Sequence, residues 1–156
     1  MILATYIDPC QQIRQAIISH LQGLCNGFAR PLPQTQIRAM LDVSGDPKDA
    51  CGIVVACENK GEHWGLNNGG VLIDVEPRIC VFSHINEDTD GSVCNAIVSD
   101  VMNAIRSIAY HLDGWEVKWN GNWTLSEATV DGSYRQCELS ATLPLVRLFD
   151  IDNSNS

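Results

Sequence analysis

Val93, Ile97, Val101, Ile105, Ile108 and Leu112 step along the chain by fours and threes. That spacing puts all six on one side of a helix, with Asn95, Ser99, Asn103, Arg106 and Ser107 turned away. A helix with one dry side must be covered, here by a sheet. Asp88, Thr89, Asp90 and Ser92 offer capping oxygens and negative charge at its start, and Asp113-Gly114 supplies a stop.

The rest of the chain reads as one more helix and a set of strands. Ile13, Ala16, Ile17, Leu21 and Leu24 recur at helical spacing after Asp8-Pro9, with Asn26-Gly27 as the stop. Residues 37–43 alternate as a half-buried strand, and CGIVVACE at 51–58 is a short apolar run suited to a strand covered on both faces. ENKGEHWGLNNGG at 58–70 reads as a loop, followed by extended pieces at 71–76 and 78–85 that Pro77 divides at a bulge or a sheet edge.

Three of the four tryptophans fall within nine residues, in GWEVKWNGNWTL at 114–125. Trp115, Val117 and Trp119 alternate with Glu116 and Lys118, so they share one side of a strand. A three-residue turn at Asn120-Gly121-Asn122 keeps Trp123 and Leu125 on that side, pairing Trp119 with Trp123 and Val117 with Leu125. The same parity at Asp131-Gly132-Ser133 pairs Leu125 with Leu139 and Trp123 with Ala141. The indoles therefore read as part of a continuous apolar sheet face, serving a core or a subunit interface ahead of a ligand platform.

The expected architecture is α+β: a mixed, mostly antiparallel sheet, two helices on one face, and a C-terminal β-meander. Residues 1–150 form a single domain and 151–156 a disordered tail. With 45% hydrophobic residues the chain can bury a core without metal or disulfide support. The formal charge is −9, and the ten cations are scattered singly, which argues against specific nucleic-acid binding. No run approaches a membrane span and the start lacks a signal-type flank, so a soluble intracellular protein is expected. Seven cysteines, an odd count, read as reduced thiols in apolar runs.

Candidate chemistry is sparse. Asn86, Asp88 and Asp90 occupy positions 1, 3 and 5 of a calcium-loop template with Gly91 at position 6, but position 12 is Ile97, which offers no carboxylate. The three are the calcium candidates, and an acidic helix start is the reading set against them. Cys80 and His84, four apart on a strand, stand about 13 Å apart, too far to share one ion. No nucleophile elbow, Walker loop or dinucleotide fingerprint occurs. No catalytic residue, metal or cofactor is expected. His63 and Trp64 in the glycine-rich loop, with Trp119 and Trp123, are the candidates for self-association or partner contact.

The order of helix, strands, a Pro-interrupted strand ending VFSHIN, a long amphipathic helix and a β-meander ending SYRQCELSATLPL resembles the tail terminator (minor tail protein U) family of long-tailed bacteriophages and the related tail-completion proteins. The similarity covers most of residues 8–147; the cysteines, the tryptophans and the loop at 58–70 depart from it. The resemblance implies a non-catalytic α+β subunit that assembles in the host cytoplasm. It would form a hexameric ring on the virion tail, joining the tail tube to the head connector. Two other classes remain open: a small-ligand module built on the tryptophans, and a cysteine-dependent enzyme.

Overall fold

A computed structural model describes residues 2–3, 8–40, 50–64, 71–147 and 149–150. Expectations for 41–43, for 65–70 and for the tail at 151–156 lie outside the described residues. The elements in order are β1 (Ile2–Leu3), α1 (Pro9–Leu24), β2 (Ile37–Ala39), β3 (Cys51–Trp64), β4 (Val71–His84), α2 (Ser92–Ile105), β5 (Trp115–Val117), β6 (Thr124–Leu125), β7 (Thr129–Asp131), β8 (Tyr134–Ser140), β9 (Leu143–Arg147) and β10 (Phe149–Asp150). The fold is α+β, with a mixed, mostly antiparallel sheet of β2 through β9. β2 runs parallel to β3; every other pairing is antiparallel, including a separate pair between β1 and β10.

Both helices cover one side of this sheet. Ile13, Ile17 and Leu21 of α1 and Ile97, Val101 and Ile105 of α2 join Ile53, Val55, Ile73, Val75, Ile79, Val81, Leu139, Leu143 and Leu145 in one core. The expected stripe on the second helix is half-buried at Val93 and buried at Ile97, Val101 and Ile105. The helix ends there and does not run on to Leu112. The Ala104 carbonyl accepts from the Ser107 amide and hydroxyl at 3.2 and 3.0 Å, and its 2.8 Å contact with His20 Nε2 adds a further partner at the helix end. Ile108 stays buried and Leu112 half-buried in the extended segment that follows.

The segment expected to be a loop from Glu58 is strand as far as Trp64. β3 and β4 form a long antiparallel hairpin whose register slips by one residue between Asn59 and Gly61. The slip is a bulge: Gly61 takes φ 144°, and its amide donates to Asn59 Oδ1 at 2.9 Å. Glu58 and Glu76 stand directly opposite each other here, and Lys60 and Arg78 each bridge both carboxylates at 3.0–3.6 Å. Two like charges facing across a ladder would otherwise repel.

Pro77 is an interior residue of β4, and the strand is continuous through it. Its consequence falls on the neighbouring strand. β8 pairs with residues 78–84 of β4 and β9 with residues 72–75, in one unbroken register that sets Ala141 opposite Pro77. The Ala141 amide donates to the Pro77 carbonyl at 3.3 Å, but proline has no N–H to return. One missing rung thus divides what the sequence reads as a single alternating strand from Cys137 to Leu145.

The largest difference concerns the tryptophan ribbon. Residues 120–122 do not reverse the chain: β5 pairs with β9, and β6 and β7 pair with β8, all in the same direction. Residues 115–131 therefore run along one sheet edge as an interrupted strand. From Val117 to Thr124 the edge takes seven steps where its partner takes five, from Leu145 to Ser140, so residues 118–123 bulge outward. The expected Trp119–Trp123 and Val117–Leu125 pairs do not form. Leu125 does face Leu139, although the turn at Gly132-Ser133 has two residues; one extra residue between Leu125 and Thr129 restores the parity.

Candidate functional site

The bulge at 118–123 shapes the most distinctive surface among the described residues. Gly121 fastens it down: with φ 74°, it lies so close to the β8–β9 junction that a Cβ there would stand 2.9 Å from the Thr142 carbonyl oxygen. The Lys118 amide adds a 2.8 Å bond to the Pro144 carbonyl. Opposite the bulge runs the segment after α2, held to α1 by the Gln12 side chain, which donates to the Asp113 carbonyl and accepts from its amide. Between the two lies a cleft of about 590 Å³ whose walls include Tyr110, His111, Trp115, Glu116, Trp119 and Asn120. Asn120 also borders a second hollow of about 500 Å³, formed with Met102, Arg106, Asn122, Trp123 and Leu139.

The three clustered indoles thus have separate fates. Trp115 is buried in the core, Trp123 packs against its margin, and Trp119 is 53% exposed at the cleft rim. A single dry sheet face carrying all three is not what forms, because the bulge turns Trp119 outward. Tyr110 Oη, Asn120 Oδ1 and Trp123 Nε1 are buried without a hydrogen-bond partner. Each such group costs about 1–3 kcal/mol unless water or another molecule satisfies it. Burial raises the Tyr110 phenol above its ordinary value, with the nearby Cys57 adding to the effect, so the hydroxyl remains a neutral donor and acceptor.

A second feature is the outer edge of β6 and β7, which continues β5 along β8 and β9 and pairs with no other strand among the described residues. Leu125 and Val130 project from it 47% and 56% exposed, on the same side as their partners Leu139 and Arg135. Of the sequence candidates for contact, Trp119 is exposed and Trp123 half-buried. The backbones of His63 and Trp64 close the β3–β4 ladder opposite Leu72 and Val71, and their side chains lie outside the described residues.

The calcium candidates do not converge. Asp88 is 1% exposed and directs both oxygens inward: Oδ1 accepts from the Val93 amide at 2.9 Å, and Oδ2 from the Cys94 amide at 3.0 Å and the Ser83 hydroxyl at 2.7 Å. Asp90 Oδ1 accepts from the Ser92 amide, and Asn86 is exposed. These aspartates cap α2. Among the described residues no group of three His, Cys, Asp or Glu side chains could hold a metal.

Sequence reasoning passed over Asp100. It is buried on α2 and clamps the loop after α1, accepting from the Ala29 and Arg30 amides at 3.0 Å each. Only its place beside the apolar stripe hinted at burial. His20 and His84 engage the Ala104 carbonyl and the Asn86 amide, so neither is paired with a thiol. Burial lifts Cys80 and Cys94 to about 11, which leaves them protonated at neutral pH.

No protein-family model matches this chain, and no curated protein matches it. Among the described residues no helix is long and apolar enough to cross a membrane.

Proposed function

We propose that this protein is a ring-forming structural subunit of the bacteriophage tail-terminator type, capping the tail tube and meeting the head connector. The observation that carries the reading is the β6–β7 edge, which takes no second strand among the described residues, with Leu125 and Val130 beside it and Trp119 on the adjoining bulge. An exposed sheet edge bearing apolar side chains and neither lysine nor proline along 124–131 is a surface that takes a partner. A ring uses such a patch head to tail, against a different surface of the next copy. A net charge of −9 suits a lumen through which DNA slides without sticking.

The test is direct imaging and sedimentation of the purified protein, alone and with assembled tail tubes. Six-fold rings, or discrete caps at tube ends, support the proposal. A protein that stays monomeric at high concentration and ignores tail tubes counts decisively against it.

One observation favours a second reading, a small-ligand module: the cleft beside Trp119 is lined by Tyr110 and Asn120, each of which has a buried polar atom without a partner. An uncharged polyhydroxylated ligand could stack on the indole and satisfy such groups. Titration of the intrinsic fluorescence with oligosaccharides tests it; emission that stays unchanged at millimolar ligand removes this reading.

A further inference from the structure

The second hollow beside the bulge, about 500 Å³ in volume, has walls of two kinds. Met102 and Ile105 from the last turn of α2, Leu139 of β8 and the Trp123 ring form an apolar lining. Ile105 and Leu139 belong to the core, so the hollow opens onto its margin. The polar walls are Arg106 and Asn120. Arg106 directly follows the last residue of α2, and Asn120 precedes Gly121, whose close seat on the β8–β9 junction fixes this part of the bulge.

The cation is the informative member. Arg106 is exposed, and among the described residues no carboxylate lies within ion-pair distance of it, whereas Lys60, Arg78, Lys118 and Arg135 each have one. In a chain with nineteen acidic residues against ten lysines and arginines, a guanidinium beside apolar walls and without a carboxylate is open to one from outside. Trp123 Nε1 is also buried without an acceptor. Guanidinium and indole N–H groups only donate, so the ligand group that suits them is an acceptor, and the positive charge selects an anion. One cation matches a monoanion. An inorganic anion would leave Met102, Ile105 and Leu139 uncovered, and a wholly apolar molecule would leave the arginine unused.

We propose that this hollow binds a small monocarboxylate with an apolar body. The carboxylate pairs with the Arg106 guanidinium, and the hydrocarbon part lies against Met102, Ile105, Leu139 and Trp123. A planar guanidinium holds a carboxylate through two parallel N–H bonds, which orients the ligand, while the apolar walls supply the area. The volume is that of an ordinary small-molecule site. Neither Leu125 nor Val130 lines the hollow, so the proposal stands or falls apart from the ring. Asn120 borders both this hollow and the cleft beside Trp119, which makes the two sites neighbours with different indoles as reporters.

The experiment titrates the isotope-labelled full-length protein with 3-phenylpropionate and, separately, with 3-phenylpropanol, which has the same body and no charge. NMR follows the indole N–H resonances of the four tryptophans. Trp123→Phe identifies the Trp123 signal and Trp119→Phe the Trp119 signal. The expected result is a saturable shift of the Trp123 resonance by the carboxylate, with the alcohol weaker by about tenfold or more. Arg106→Gln, at an exposed position, should reduce the carboxylate to the level of the alcohol. The absence of a saturable change at Trp123 in the wild type, equal binding of the alcohol, or undiminished binding by Arg106→Gln would overturn the proposal. A response confined to Trp119 would overturn it too, since it puts the ligand in the neighbouring cleft. Comparison of the two ligands on the wild-type protein decides the matter even where a variant folds poorly.

Discussion

Asp88 shows how much a single buried carboxylate can organise. Its oxygens receive two α2 amides and the Ser83 hydroxyl, and Arg135 Nε stands 3.8 Å away. Burial alone would raise its pKa, but the bonds from Ser83, Cys94 and Val93, with the Arg135 charge, together hold it below the usual 3.8. A carboxyl with a depressed folded value stabilises the fold above its unfolded value and loses that contribution as pH falls through the folded one. The fold should therefore weaken as pH drops below about 3.8. Asp88→Asn should flatten that acid limb and cost about 2 kcal/mol at neutral pH, read by urea unfolding across pH. An unchanged acid limb in the variant would mean other carboxylates govern it. Gly52 gives a steric counterpart: a Cβ there would lie 2.8 Å from both the Gln36 carbonyl oxygen and Phe82 Cζ. Gly52→Ala should cost about 1–3 kcal/mol in the same assay. What the sequence could reveal at this scale was chemistry without direction. The acidic run at 86–90 was legible as either a cation loop or a helix start, and only the position of Ser83 and the α2 amides decides between them.

At the scale of elements, periodicity was the reliable guide where one face is buried, and turn chemistry was the weak one. Both helices form where their stripes begin, although α2 stops at Ile105, short of Ile108 and Leu112, and Leu125 meets Leu139 through a two-residue turn and one compensating residue. Asn120-Gly121-Asn122 carries every local sign of a reversal, yet Gly121 uses its positive φ to seat a bulge on the β8–β9 junction. A local turn signal cannot tell a hairpin from an excursion, because both need the same backbone at glycine. Pro77 misled in the opposite way: it removes one rung toward Ala141 and leaves the β3 side undisturbed, since at Pro77 the backbone polar atoms point toward β8 and β9. Pro77→Ala should restore that rung. We expect a slowly exchanging amide at residue 77 by hydrogen-exchange NMR. Global stability should shift by less than about 1 kcal/mol, as one net hydrogen bond is offset by a more flexible unfolded chain. Rapid exchange at that amide would show that the ladder is open there for another reason.

For the whole molecule, the decisive property is the apolar character of the β5–β7 edge of the sheet. At one side β2 lies against β3 as a short three-residue strand, whereas the β5–β7 side presents a long interrupted edge with apolar side chains beside it. If that edge is the ring contact, each subunit buries Leu125 and Val130 against its neighbour. Removing a half-exposed residue of this kind from water contributes on the order of 1–2 kcal/mol, and a closed ring repeats the gain at every interface. Placing a lysine there instead leaves a cation to be desolvated in the contact and a charge of the kind that blunts exposed edges. Val130→Lys and Leu125→Lys should each weaken association by about tenfold or more per interface, seen as a loss of rings in sedimentation velocity. The thermal unfolding of the monomer should remain close to that of the wild type, because both side chains are already largely in water. Salt sorts the electrostatic from the apolar part: subunits of charge −9 repel, so raising ionic strength should favour the wild-type ring by screening while leaving the lysine variants deficient. Rings that persist undiminished in both variants would locate the contact elsewhere, with Trp119 on the bulge the next residue to alter.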